Sequence, residues 1–172
     1  MVQTLWQTNA QQYAKDNNLK SCTDNEADAY RHFSWNYDCV KDNIPIEDVS
    51  EFTTNHEVLT QEYFGKDKNG VKYYKVALSS LMDLTNNKIG RYQATLPHNK
   101  GKDSEEVFNE LLKSNAVVTS LEQVKKVWKI KDEWLYEGEE GVRGEVSVVI
   151  KGSLKEDALS IKVVDGKAVK IK

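Results

Sequence analysis

Asp28, His32 and Asn36 follow one another at four-residue intervals, and Asp83, Asn87 and Arg91 repeat that interval further along the chain. On helices, each set lies along one side. Burying such a side is costly unless every polar group meets a partner. The fold that answers this turns the two stripes inward so that they meet. Each stripe has polar company. Arg31 lies at the edge of the first and Trp35 borders it, while Asn86 is three residues on from Asp83. Gly90 shares the side of Asp83 and Asn86. A mid-helix glycine costs about 1 kcal/mol against alanine, so here it serves the close approach of another backbone, a ligand or a metal.

A third segment joins them. From Ile46 to about Phe64 the apolar residues are Ile46, Val49, Phe52, Leu59 and Tyr63, and His56 fills the gap in that stripe with Glu57 beside it. The pattern predicts a helix that carries His56 inward. Glu57 points about 100° away around the same helix. Two of the three histidines in the chain thus belong to one constellation. His98 follows a proline in a loop and reads as solvated.

Around these segments the chain reads mostly as helix. Residues 2–17 put Trp6, Ala10, Tyr13 and Ala14 on one face. Thr23 or Asp24 can cap the helix that runs to about Val40. VKYYKVA at 71–77 fits strand or helix. Residues 78–95 read as helix, closed by Pro97, and Asp103 with Glu106 forms a capping box before the next. After about Asp132 the pattern alternates, and Asp165-Gly166 between two β-rich runs signals a hairpin. The expectation is an α+β protein, with a mainly α-helical body over residues 1–131 and a small C-terminal antiparallel β-sheet over 132–172.

Composition removes several alternatives. The chain has 172 residues, enough to bury a core without staples. A net charge of −3 with both signs interleaved gives no nucleic-acid signal. No apolar run approaches bilayer length, and the N-terminus lacks signal-peptide character. Cys22 and Cys39 flank most of one predicted helix, which sets them roughly 20 Å apart, beyond disulfide reach.

Taken together, DAYRHFSWN (28–36), NHE (55–57) and MDLTNNKIGR (82–91) resemble a bacterial domain family of unassigned function, whose members occur in secreted, surface or polymorphic-toxin-like proteins. The matching positions are Asp28, Arg31, His32, Trp35, Asn36, His56, Glu57, Asp83, Asn86, Asn87, Gly90 and Arg91. The resemblance implies a helical core with a shared polar site, and a secreted or surface setting as part of a longer bacterial protein. It implies no reaction.

The chemistry of the residues suggests one. His32, His56 and Asp83 can ligate a divalent metal such as zinc, leaving a position for water. Glu57 is then the general base, and Arg31 and Arg91 stabilise an anionic transition state. Asp28, Trp35, Asn36, Asn86 and Asn87 line the substrate side. A metal-free acid–base pair of His32 and His56 is the variant. This predicts a hydrolase acting on a small-molecule or polymeric substrate. The competing expectation is a binding or interaction module whose polar cluster only fixes helix register.

Overall fold

The computed structural model describes residues 2–154 and 162–164. Its α-helices are α1 (Val2–Asp16), α2 (Glu26–Lys41), α3 (Ile46–Val58), α4 (Leu78–Thr95), α5 (Ser104–Lys113) and α6 (Leu121–Trp128). Its strands are β1 (Glu62–Lys66), β2 (Lys72–Ala77), β3 (Ser147–Lys151) and β4 (Lys162–Val164), which form one antiparallel sheet in that order. This is the expected α+β class. The sheet recruits two strands from the middle of the chain besides those near its end.

Local chemistry sets the helix ends. The α2 cap is Asn25, one or two residues beyond the expected Asp24 or Thr23. Its side-chain oxygen accepts from the N–H groups of Ala27 and Asp28, two donors that a helix start leaves unpaired. Asp24 instead takes a left-handed backbone, φ 52°, and its N–H donates to Asp28 Oδ2 at 2.8 Å. Asp103 caps α5 as expected, accepting from Glu106 N–H at 2.8 Å.

The helix expected to reach Phe64 stops at Val58. The Thr60 N–H and hydroxyl both bind the Glu57 carbonyl, and Tyr63 and Phe64 pass into β1. VKYYKVA resolves as β2, paired with β3 through Tyr74↔Ile150 and Val76↔Val148. The Asp165-Gly166 hairpin and the run after it lie outside the described residues.

The chain divides into two compact units. Met1–Thr53 and Met82–Ser120 form the first, and Thr54–Leu81 and Leu121–Lys172 form the second. The described residues from 132 on, expected as part of a β-rich appendage, share a unit with β1, β2 and α6.

In the first unit, α1 and α5 pack on α2. The core is aromatic. Tyr13 stacks on Tyr30 with ring centroids 4.6 Å apart, and the Phe108 edge meets both rings. Each such pair adds about 0.5–1.5 kcal/mol beyond the area it buries. In the second unit, Val76, Val148, Val149, Ile150 and Leu154 are buried. Lys75 Nζ lies over Phe64 and Tyr136 and donates to the Glu140 carbonyl. Among the described residues no helix is long and apolar enough to cross a membrane. Cys22 and Cys39 are free thiols.

Candidate functional site

Helix α2 divides its labour by face. Tyr30, Phe33 and Tyr37 carry the aromatic core of the first unit. Asp28, His32 and Asn36 form the other stripe, and all three are buried. That stripe meets Asp83, Asn86, Asn87 and Arg91 of α4, also buried. Gly90 makes the approach close. A Cβ there would collide with the Phe33 carbonyl oxygen and sit 3.2 Å from Asn36 Cβ. Of the roles open to this glycine, it serves the passage of the α2 backbone.

The deep end of the interface is a directed hydrogen-bond chain. Arginine can only donate, so the oxygen of the Asn36 amide must face it: Arg91 Nη1 donates to Asn36 Oδ1 at 2.8 Å. Thr53 of α3 donates to the same oxygen at 3.2 Å. Asn36 Nδ2 then donates to the His32 carbonyl at 2.9 Å and to Asn87 Oδ1 at 2.7 Å. With Asn87 Oδ1 fixed as an acceptor, His32 Nδ1, 3.1 Å away, must carry the ring proton. Arg91, at the far end of the chain, therefore selects the tautomer of His32. Asn87 Nδ2 is buried and, among the described residues, has no hydrogen-bond partner. The amide cannot flip to relieve it without breaking both contacts of its oxygen.

In the neutral ring, that tautomer leaves a lone pair on His32 Nε2. That atom lies 3.3 Å from Asp83 Oδ1 and 3.8 Å from Asp28 Oδ1. One ligand atom from each of Asp28, His32 and Asp83 falls within 4.8 Å of the other two, at 1%, 2% and 8% exposure. Two carboxylates and a lone pair so placed repel one another unless a cation or a shared proton stands among them. Arg31 supplies positive charge. Its Nη2 is 2.5 Å from Asp28 Oδ1 and 2.9 Å from His32 Nε2, while Nη1 donates to Gln7 of α1 at 2.6 Å. Burial still pushes the Asp28 carboxyl above its usual range, against the opposing pull of the Arg31 charge and the Asp24 N–H.

The sequence-derived site residues separate by role. Asp28, Arg31, His32 and Asp83 come together at the outer end. Asn36, Asn87 and Arg91 form the deep relay, with Arg91 held by Asn36 and Thr53. Asn86 clamps the Val118 backbone through both ends of its amide, at 2.7 and 3.0 Å. Trp35 packs between Trp6 and Phe52.

His56 and Glu57 belong to the second unit. Their expected orientations are reversed. The His56 side chain is 45% exposed, and the Glu57 carboxylate is buried 4.0 Å from it. The buried line on α3 is Val49, Thr53 and Glu57, while Phe52 and Leu59 face outward. Sequence reasoning missed Thr53 and Gln7. Thr53 could have been found from its four-residue step beyond Val49; Gln7 offered no signal beyond its place beside Trp6.

A family model described as a domain of unknown function (DUF6973) matches residues 2–119. No curated protein and no solved structure matches the chain.

Proposed function

We propose, for a chain that belongs to the domain-of-unknown-function family DUF6973, that its first unit is a hydrolase-like domain. Its centre binds one divalent cation through Asp28 and His32 of α2 and Asp83 of α4. The observation that carries this reading is the convergence of those three ligand atoms within 4.8 Å. Zinc with nitrogen and oxygen ligands at about 2.0–2.2 Å sets neighbouring ligand atoms about 3.3 Å apart in a tetrahedron. The His32–Asp83 and His32–Asp28 separations, 3.3 and 3.8 Å, need only a small closure to reach it. Relative to the ligand set read from sequence, Asp28 takes the place of His56.

The residues then have distinct tasks. Arg91, Asn36 and Asn87 hold the His32 ring with Nε2 as the electron-pair donor, as a metal ligand requires. With Asp28, His32 and Asp83 as its protein ligands, a bound metal would leave room for a water and would supply Lewis acidity to activate it near neutral pH. The orphan donor Asn87 Nδ2 supports a bound oxygen nearby, since an unmet buried donor costs about 1–3 kcal/mol. The secreted or surface setting of a bacterial host protein belongs to the same proposal and rests on the family resemblance.

A second reading has its own support. The Arg31 guanidinium already bridges Asp28 and His32, as a purely structural register-fixing network would have it. Elemental analysis of protein purified without chelator separates the two, alongside metal-dependent hydrolysis of a chromogenic phosphodiester and a chromogenic carboxylate ester. The hydrolase reading expects about one transition-metal ion per chain, lost in D83N, and turnover that follows the ion. Absence of bound metal with added zinc or manganese, and no metal-dependent turnover, gives the site to the structural reading.

A further inference from the structure

Among the described residues, the Arg31 guanidinium bridges two ligand atoms of the cluster, and its side chain is 27% exposed where Asp28 and His32 are at 2%. We propose that Arg31 and the divalent ion compete for one place, so that the ion loads by expelling the guanidinium from Asp28 and His32. This inference rests on the metal reading above and adds the regulation of that site.

The geometry leaves little alternative. Arg31 Nη2 lies 2.5 Å from Asp28 Oδ1 and 2.9 Å from His32 Nε2, and these are two of the three atoms the ion needs. One electron pair on Nε2 cannot accept an Arg31 N–H and bind a metal at once. Charge points the same way. Asp28 and Asp83 bring two negative charges when ionised, Arg31 returns one, and a divalent ion returns two. The expelled side chain has an anchor, because Nη1 already donates to Gln7 Oε1 at 2.6 Å. Partial exposure gives it a route outward that Arg91, buried under Asn36 and Thr53, does not have. Arg31 is thus a latch: it stabilises the metal-free domain and weakens the affinity for metal.

The test is zinc binding by wild type, R31Q and D83N, measured by competition with a chromophoric chelator. Thermal melts with and without zinc accompany it. Releasing the latch is expected to tighten zinc binding by R31Q about tenfold or more, the usual scale for losing a charged hydrogen-bonded pair. Its metal-free melting temperature should fall while its zinc-induced rise grows, an opposition that a merely structural arginine does not produce. In wild type, the Arg31 side-chain Nε–H resonance should move towards its free-guanidinium position as zinc is added, which keeps the test open if R31Q folds poorly. Equal or weaker zinc binding by R31Q, or an Nε–H signal that ignores zinc, overturns the latch and leaves the metal site standing. No zinc binding by either wild type or R31Q, or binding undiminished in D83N, removes the metal site and the latch together.

Discussion

Replacing Gly90 with alanine sets two opposed effects against each other inside the candidate site. In a bare helix the change gains about 1 kcal/mol. Here the new methyl group would collide with the Phe33 carbonyl oxygen and approach its carbon to 3.1 Å. Both atoms belong to the α2 backbone, so no side-chain rotation relieves the contact. Restoring ordinary contact moves α4 from α2 by about 1 Å. That shift carries the Asn36–Asn87 bond, now 2.7 Å, and the Arg91–Asn36 bond, now 2.8 Å, beyond hydrogen-bond length. Losing them costs about 1 kcal/mol for the neutral bond and about 1.5–3 kcal/mol for the charged one. Strain from overpacking adds about 1–3 kcal/mol. After the helix gain is deducted, G90A should lose about 3 kcal/mol or more. At 2–4 °C per kcal/mol for a chain of this size, the melting temperature falls by about 6–12 °C. Urea unfolding followed by circular dichroism reads this as a lower midpoint at unchanged slope. A midpoint at or above that of wild type would refute the close packing of α2 on α4, and with it the relay that fixes His32.

Two further predictions concern groups away from Asp28, His32 and Asp83. The Cys39 thiol is pushed up to about 11 by burial first and by the Asp38 and Asp42 charges second. At pH 8 only about one molecule in a thousand then carries the thiolate. A thiol reagent should therefore label Cys22 in the native protein and Cys39 only after unfolding; labelling of both at similar rates contradicts this. Asp38 is raised chiefly by burial, against hydrogen bonds from Ser104 and Trp6. A carboxyl whose folded value is raised binds its proton more readily folded than unfolded. Stability from this group is therefore present below the unfolded value of about 3.9 and is lost as pH rises to the folded one. Urea midpoints between pH 3.5 and 7 should show D38N gaining on wild type across that window and then holding a constant offset. A pH-independent difference between the two proteins rejects the assignment.

The helices were legible where local chemistry dictates them. The Asp103 capping box and the polar stripes of α2 and α4 needed no knowledge of the rest of the chain, and their meeting followed from the cost of burying either alone. The reading of α3 failed for a physical reason. Hydrophobic spacing selected the face with Phe52 and Leu59, whereas the buried line contains Thr53 and Glu57, polar residues that an apolar pattern cannot see. His56 was carried inward by that error. Strand β1 was hidden because no glycine or proline separates it from α3, and the pairing of β2 with β3 joins residues seventy or more positions apart, which no local pattern encodes. Asn86 looked like a site residue because it shares a face with Asp83; only the Val118 backbone opposite it reveals a clamp.

The interleaving of the two units has a consequence for where this chain can be cut. The matched family region ends at 119, after β2 but before β3. A protein trimmed to that stretch keeps β1 and β2 as a two-stranded ribbon, a form with marginal stability in water, and exposes the backbone groups along β2 that β3 satisfies. In this chain the segment after 120 therefore supplies, in β3, the rung that completes a ladder begun before the family region ends.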